Sequence, residues 1–193
     1  KNTVVIGFGA EKVKEVIGWA EYVVQAEQLG TGHAVMQAKD LLADFDGTLM
    51  VLCGDTPLLR TELLKELFDS HRQAGAIATV LTAKMPKPDG YGRVIRDRRG
   101  QVLKIVEQKD ANAQELAVDE VNTGIYCFES KELFAALSSI NCDNAQGEYY
   151  LTDVIGILVG KGAKVWAVTA DDYLETLGVN SRLQLAEAEK IFR

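Results

Sequence analysis

Residues 49–57, with the sequence LMVLCGDTP, decide the fold class of this chain. The first four residues are continuously apolar, which predicts a strand buried on both faces of a parallel sheet. Gly54 and Asp55 follow directly, at the carboxyl end of the strand, where open parallel sheets bind ligands. Asp55 offers a hard oxygen ligand suited to Mg²⁺ that bridges phosphates. On this segment alone, a catalytic carboxylate and a simple turn cap remain equal interpretations of Asp55.

Apolar strands alternate with helical patterns on both sides of this segment. The predicted strands cover residues 3–6, 22–24, 49–52, 77–81, 93–96, 102–106, 125–128 and 165–168. The predicted helices cover residues 11–17, 33–43, 63–74 and 152–159, with two more opened by a Ser130 cap and by a capping box of Ser181 and Gln184. Strand–helix–strand order indicates right-handed crossovers and an α/β fold, with one antiparallel hairpin around residues 97–100.

The composition limits the classes of function. The chain has 193 residues, 47% of them hydrophobic, and a net charge of −7 without blocks of like charge. These values predict one globular domain and exclude a broad basic surface for nucleic acid or an anionic membrane. Three scattered cysteines do not form a disulfide framework, and neither a signal peptide nor a membrane-spanning stretch is visible. We therefore expect a reducing, cytoplasmic location.

Two glycine-rich segments imitate nucleotide-binding motifs but fail the spacing tests. Gly7 and Gly9 follow a strand, yet Lys12 occupies the position of the third glycine in a dinucleotide-binding fingerprint. Residues 156–162 are one residue short of a phosphate-binding loop, and Gly162 replaces the hydroxyl residue that would hold magnesium. The histidines, His33 and His71, form no recognisable catalytic triad by spacing.

Polar loops follow several of the predicted strands. Residues 25–34 (QAEQLGTGHA) place amides, glycines and a hydroxyl at a helix start, which favours anions and can read the edge of a base. Residues 90–93, 107–110, 122–124 and 144–153 bring Glu, Asn, Gly and Tyr to other strand ends. That set of side chains is typical of sites that hold sugar hydroxyls. Each segment taken alone could equally be a solvated turn.

Seven motifs occur in an order that resembles a known family. They are QxEQLGTGHA, GDxPLL, GYGR, IVEQKDA, NTGIY, NAQGEYYLTD and GVNSRLQL. The chain resembles, along nearly its whole length, the uridylyltransferase domain of the GlmU family, the bifunctional N-acetylglucosamine-1-phosphate uridylyltransferases. GTGHA and QGEYYLTD are the specific motifs, because sugar nucleotidyltransferases share GDxPL widely. The resemblance implies a Rossmann-like open, mostly parallel sheet of the nucleotide-diphospho-sugar transferase type, with a small antiparallel hairpin region.

The resemblance also implies a set of site residues. Uracil would be held by Gln25, Gly30 and Thr31, while Cys53, Gly54 and Asp55 would line the uridine and metal region. The N-acetylglucosamine moiety would be bound by Gly92, Glu107 and Asn122, with Asn180 beside it. Asp55 and Asn180 would ligate Mg²⁺, although from the sequence alone Asn180 is better interpreted as a helix cap.

The implied reaction is transfer of a uridylyl group from UTP to N-acetylglucosamine 1-phosphate, giving UDP-N-acetylglucosamine and pyrophosphate with Mg²⁺. The family opens with a glycine-rich LAAGxGTRM-type phosphate loop and continues into a β-helix acetyltransferase domain, and neither is present in residues 1–193. We therefore expect these residues to form the uridylyltransferase domain without its first strand and phosphate loop, to have little activity alone and to be monomeric. Alternatives are a nucleotidyltransferase for glucose 1-phosphate or dTTP, and a non-catalytic nucleotide-sugar-binding module.

Overall fold

The computed structural model describes residues 2–193 as alternating strands and helices. The strands are β1 (Thr3–Ile6), β2 (Glu21–Val24), β3 (Thr48–Val51), β4 (Ala78–Lys84), β5 (Arg93–Arg96), β6 (Val102–Val106), β7 (Glu120–Glu129) and β8 (Val165–Thr169). The helices are α1 (Ala10–Val16), α2 (Thr31–Met36), α3 (Thr61–Ala74), α4 (Ala113–Leu116), α5 (Ser130–Leu137), α6 (Asp153–Gly160) and α7 (Arg182–Phe192). A short 3-10 helix spans Tyr173–Thr176. The predicted α/β class is confirmed.

A six-stranded sheet organises the molecule around β7. The hydrogen-bonded order is β6-β5-β7-β4-β8, and β3 pairs with the far half of β7, while β1 and β2 form a separate parallel pair. Because β3, β4 and β5 are antiparallel to β7 and β8 is parallel to β4, four of the six strands share one direction. The mostly parallel sheet is confirmed in this directional sense. β3 and β4 are nevertheless not neighbours, since β7 lies between them.

The predicted burial of β3 on both faces is wrong. All four of its residues are only half-buried. The reason is that β3 is hydrogen-bonded, within the described part of the chain, to β7 alone and therefore lies at an edge of the sheet. Continuous apolar character alone does not distinguish such an edge strand from a central one.

β7 is longer than predicted and contains the Asn-Thr-Gly segment that the sequence placed before the strand. Asn122, Thr123 and Gly124 lie inside this strand, ahead of the apolar residues 125–128. Gly124 has a positive φ of 79°, and the pairing of β4 with β7 shifts register between Val80 and Thr82. This irregularity redirects the strand where the Asn-Thr-Gly segment lies, as β-bulges commonly do beside sites.

Helix ends differ from the predictions in three places. Residues 37–44 form successive turns after α2 and do not continue the helix. Ser130 is the first residue of α5 and not its cap, because Glu129 holds the N-cap position, without a side-chain capping hydrogen bond. Ser181 caps α7 as predicted by accepting from the Gln184 N–H, whereas the Gln184 side chain accepts from the Asn180 N–H, one residue before the cap.

Alternating residues of β7 build two apolar cores on opposite faces of the sheet. Tyr126 and Phe128 pack into the core covered by α5 and α6. Ile125 and Cys127 pack with Leu67 of α3 into the other core. This two-sided covering holds the strand ends in fixed positions. Within residues 2–193, no helix is long and apolar enough to cross a membrane.

Candidate active site

Two loops far apart in the chain are joined by hydrogen bonds at the start of α2. The Tyr149 N–H donates to the Leu29 carbonyl at 2.8 Å, and the Gly32 N–H donates to the Tyr149 carbonyl at 2.7 Å. The Leu151 N–H donates to Thr31 Oγ1 at 3.0 Å. Residues 25–34 and 144–153, which sequence reasoning treated as separate, therefore form one rigid wall.

Gly30 makes this close approach possible. Its φ is 106°, and a Cβ at this position would lie 2.7 Å from the Tyr149 carbonyl oxygen and 3.0 Å from the Tyr149 nitrogen. Both obstructing atoms belong to the backbone and cannot rotate away. A side chain at position 30 would therefore push the two loops apart.

Gln25 is buried behind this wall, with 9% of its surface exposed. Its side-chain nitrogen Nε2 donates to the Gly30 carbonyl at 3.1 Å and lies 3.0 Å from Nδ1 of His33. The ring of His33 in turn faces the ring of Tyr149, with centroids 6.2 Å apart. Gln25, Gly30 and Thr31, the predicted nucleotide-binding residues of the first loop, are thus brought together.

The carboxyl end of β3 carries the second predicted group. The Cys53 thiol donates to the Gly124 carbonyl at 3.4 Å, and burial, followed by the charge of Asp55, raises its pKa to about 11. The thiol is therefore neutral and inert at physiological pH. A Cβ built on Gly54 meets no atom within 4 Å, so open space lies in front of this glycine.

Asp55 and Asn180 meet over Gly178. A Cβ built on Gly178 would lie 3.2 Å from Oδ2 of Asp55 and 3.6 Å from Nδ2 of Asn180. The Val179 N–H donates to the Asp55 carbonyl at 2.8 Å and so ties the two segments together. Since Ser181 caps α7, the helix-cap interpretation of Asn180 does not hold, and its side chain remains available to the cleft.

This pair suits a Mg²⁺ ion that substrate helps to bind. No cluster of three or more His, Cys, Asp or Glu residues capable of holding a metal occurs among residues 2–193. Mg²⁺ is usually bound through one or two carboxylates, with phosphate oxygens and water completing its octahedron. One carboxylate and one amide, both exposed, fit that pattern. Rotation of the Asn180 amide about its terminal bond would present its oxygen, the kind of ligand atom that Mg²⁺ prefers.

Gly92, Glu107 and Asn122 form a third group beside β7. The Asn122 N–H donates to the Gly92 carbonyl at 2.9 Å, and a Cβ on Gly92 would lie 3.5 Å from both carboxylate oxygens of Glu107. Asn122 Oδ1 accepts from the Gly124 N–H, which links this group through Gly124 to Cys53. The three predicted sugar-binding residues are therefore neighbours, and they adjoin the end of β3.

Burial raises the pKa of the Glu107 carboxyl, and Asp153, Asp110 and Glu148 add to the rise. A hydrogen bond of 3.0 Å donated by the Thr152 hydroxyl acts in the opposite direction. Burial also raises the pKa of Asp153, with Asp110 contributing. A region this acidic repels phosphates and accepts hydrogen bonds from neutral hydroxyl groups.

The sequence assigned no role to several neighbours of these residues. Burial raises the pKa of Tyr126 well above its usual value, Glu107 adds to the rise, and a hydrogen bond with Asn122 opposes it. Thr152 holds Glu107 and Tyr149 closes the first loop. Tyr126 lies in an apolar strand and resembles ordinary core, and the other contacts join residues that are distant in the chain. Within the described residues, no hydrogen bond or ion pair joins the Gln25 loop to the Asp55 group.

Comparison with known proteins agrees with the motifs. A model of the nucleotidyl transferase family matches residues 10–184. The bifunctional protein GlmU of Lactobacillus johnsonii is 55% identical over an alignment of 194 positions that covers 100% of this chain and 42% of that protein. GlmU of Bacillus cytotoxicus gives the same four values, and GlmU of Limosilactobacillus reuteri is 55% identical over 190 residues, 98% of this chain and 42% of that protein. The chain therefore spans less than half the length of these relatives.

A solved structure agrees with the fold. UDP-glucose pyrophosphorylase, in a crystal structure complexed with UDP-glucose, superposes with a TM-score of 0.72 over 99% of this chain and 80% of that one. At 14% identity the likeness concerns the fold alone, and it confirms the predicted sheet type. The family match covers well over half of the chain, and the resemblance inferred from the motifs is confirmed. This chain belongs to the nucleotidyl transferase family.

Proposed function

We propose that this chain is the uridylyltransferase domain of an enzyme that makes UDP-N-acetylglucosamine from UTP and N-acetylglucosamine 1-phosphate. The observation that carries the proposal is the meeting of Asp55 and Asn180 over Gly178, after the end of β3, which Cys53 and Gly124 link to the acidic Gly92–Glu107–Asn122 group. A metal-suited pair beside a hydroxyl-suited pocket matches a substrate with a phosphate at one end and a sugar at the other. The names of the GlmU relatives, identical at about half of the positions, support it further.

In the proposed reaction, a phosphate oxygen of the sugar phosphate attacks the α-phosphorus of UTP in line, and pyrophosphate leaves. Gln25, Gly30 and Thr31 would bind uracil, and Cys53 and Gly54 would face the uridine through their backbone. Asp55 and Asn180 would hold Mg²⁺, which when bound neutralises phosphate charge and orients the reacting groups. No side chain needs to act as a nucleophile, so these residues contribute mainly by positioning.

The sugar would be recognised in its pocket through hydrogen bonds to its uncharged groups. Asn122 offers an amide to the N-acetyl group, the Gly92 backbone lies within reach of a hydroxyl, and Glu107 accepts hydrogen bonds from ring hydroxyls. Because Glu107 is held by Thr152 at 3.0 Å, its orientation is set before substrate arrives. Preorganisation of this kind lowers the entropic cost of binding.

The proposed setting is the cytoplasm, in the synthesis of cell-wall precursors, with no nucleic acid or membrane partner.

A nucleotidyltransferase that prefers glucose 1-phosphate or dTTP is the nearest alternative. A substrate panel on a protein that also carries the family's phosphate loop tests the difference: pyrophosphate release is measured with UTP or dTTP and with N-acetylglucosamine 1-phosphate or glucose 1-phosphate, each with Mg²⁺ and with EDTA. We expect Mg²⁺-dependent preference for UTP and the N-acetylated sugar. Equal use of glucose 1-phosphate would overturn the assignment of the sugar.

A further inference from the structure

His33 lies between two glutamine amides. Its Nδ1 is 3.0 Å from Nε2 of Gln25, and its Nε2 is 3.1 Å from Nε2 of Gln37. A neutral imidazole has one N–H donor and one acceptor nitrogen, so it cannot accept from two amide NH₂ groups. One of the two amides must therefore present its oxygen to the ring, and its identity fixes the tautomer of His33.

The surroundings of the two amides decide which one turns. Gln25 is buried, and its Nε2 also donates to the Gly30 carbonyl at 3.1 Å, so that turning it would set two oxygens against each other. The Gly30 carbonyl cannot move away, because its residue is held against the backbone of Tyr149. Turning Gln37 likewise sets its oxygen against the His33 carbonyl, to which its Nε2 donates at 3.1 Å, but Gln37 is only half-buried, so its side chain can shift and water can reach the groups left unpaired. An unsatisfied buried group costs more than a solvated one, so Gln37 is the amide that turns.

This assignment fixes the chemistry of the Gln25 side chain. Its two N–H groups are used, one by the Gly30 carbonyl and one by Nδ1 of His33. His33 then carries its proton on Nε2 and donates it to Oε1 of Gln37. What Gln25 has left for a ligand is the acceptor oxygen Oε1.

We propose that His33 is a positioning residue that locks the Gln25 amide with its oxygen toward the base, and thereby selects a base with a ring N–H over one with a ring acceptor. Uracil and thymine offer such an N–H at N3, whereas cytosine has a lone pair at N3 and faces the Gln25 oxygen with an acceptor. This inference rests on the proposed function, since it assumes that the nucleotide base lies at Gln25. A mismatched acceptor pair of this kind should reduce affinity by about 10- to 100-fold.

The discriminating measurement is the ratio of the dissociation constants of CDP and UDP, determined by calorimetric titration of the protein. His33→Leu removes the acceptor at Nδ1 and should reduce the ratio by about 10-fold or more. His33→Asn places its Oδ1 near the position of Nδ1 and should restore the ratio. Affinity for N-acetylglucosamine 1-phosphate should not change in either variant, because the hydrogen bonds of the His33 ring go to Gln25 and Gln37 and not to Gly92, Glu107 or Asn122.

A second pair of variants leaves His33 itself intact, in case His33→Leu fails to fold. Gln37→Glu offers only an acceptor to Nε2 and keeps the required tautomer, so the ratio should be kept or increased. Gln37→Lys offers only a donor, forces the proton to Nδ1 and should turn the Gln25 amide, so the ratio should fall. The charge at position 37 acts equally on UDP and CDP and cancels in the ratio.

Two failures are distinguishable. If the unsubstituted protein prefers UDP and the ratio is the same in Gln37→Lys and in a folded His33→Leu, the role of His33 is wrong and the proposed function stands. If the unsubstituted protein binds no uridine nucleotide, the proposed function fails and this inference fails with it. A fall of the ratio in His33→Leu together with rescue by His33→Asn supports the positioning role.

Discussion

Asp55 illustrates how far a single residue can be interpreted from sequence. The strand end and the neighbouring Gly54 pointed to a ligand site, yet a turn cap remained equally possible. In the structure the Asp55 backbone carbonyl receives the Val179 N–H, which leaves the carboxylate over Gly178 beside Asn180. The partner is 125 positions away in the chain (180 − 55), and no spacing rule could have linked the two.

The first prediction concerns Asp55. In a protein that also carries the family's phosphate loop, Asp55→Ala removes the only carboxylate of the proposed metal pair, and Mg²⁺-dependent pyrophosphate release should fall by about 10³-fold, since metal stabilisation of phosphoryl transition states is worth several kcal/mol. Steady-state kinetics at several Mg²⁺ concentrations would measure the loss. Asp44→Ala, at an exposed acidic residue, is the control and should leave Mg²⁺-dependent pyrophosphate release unchanged. Unchanged turnover in Asp55→Ala would exclude Asp55 as a metal ligand.

The second prediction concerns Glu107 and pH. Burial raises the folded-state pKa of Glu107 above the usual 4.5, so its stabilising contribution is complete below the unfolded pKa and is lost as pH rises through the folded pKa. Glu107→Gln should therefore unfold at a higher temperature than the unsubstituted protein at pH 7–8, by roughly 2–4 °C per kcal/mol. The difference should shrink as the pH falls toward 4.5.

Glu115 is the control, because its pKa is shifted in the opposite direction from that of Glu107. Hydrogen bonds from Lys104 and from the Asn112 N–H lower the pKa of Glu115, so its contribution is present above the unfolded pKa and is lost as pH falls through the folded pKa. Glu115→Gln should destabilise slightly at neutral pH and become neutral in acid. Thermal unfolding of both variants across pH measures this. Parallel pH profiles for the two would show that burial of Glu107 does not act as described.

At the scale of elements, local patterns predicted the strands and most helices, and tertiary contacts decided the rest. Apolar runs gave β1, β3 and β8 to within a residue or two. The partners of each strand were not encoded locally, because β7 lies between β3 and β4. The Asn-Thr-Gly segment, predicted to precede the strand, lies within β7, since Gly and Asn favour turns and obscure the start of a strand. The same holds for the candidate site. Local motifs identified its residues, but which of them lie together is visible only in the folded chain.

The third prediction concerns the junction between the first loop and residues 148–151. Gly30→Ala adds a methyl group 2.7 Å from the Tyr149 carbonyl and should separate the two segments, weakening binding of uridine nucleotides and lowering stability. We expect a loss of stability above the roughly 1–2 kcal/mol that a positive φ alone costs a residue with a side chain. Denaturant titration and UDP binding would measure both effects.

Gly100→Ala is the matched control for this substitution. Gly100 has a φ of 79°, but a Cβ there meets no atom within 4 Å, so the substitution tests backbone strain alone. It should reduce stability and leave nucleotide affinity intact. If Gly30→Ala behaves like Gly100→Ala in both measurements, the close contact with Tyr149 has no role in the site.

At the scale of the whole molecule, the negative net charge opposes the binding of negatively charged substrates. The chain carries a net charge of −7, none of the ten candidate site residues is basic, and its proposed substrates are polyanions. Net charge does not govern a single cleft, but within the candidate set only a bound cation could offset phosphate charge. The acidic group around Glu107 cannot neutralise phosphates either, because it repels them and accepts hydrogen bonds from hydroxyl groups. Phosphate binding and sugar binding should therefore respond differently to metal.

The fourth prediction follows from this separation. UDP-N-acetylglucosamine with Mg²⁺ should raise the unfolding temperature by about 5–10 °C at a hundredfold excess over its Kd, which corresponds to ~2.7 kcal/mol at roughly 2–4 °C per kcal/mol. EDTA should remove most of this shift, and Asp55→Ala should remove its dependence on Mg²⁺. N-acetylglucosamine without phosphate should give a small shift that EDTA leaves unchanged. A shift for UDP-N-acetylglucosamine that EDTA does not alter would mean that protein groups other than Asp55 and Asn180 neutralise the phosphates, and the metal pair would lose its proposed role.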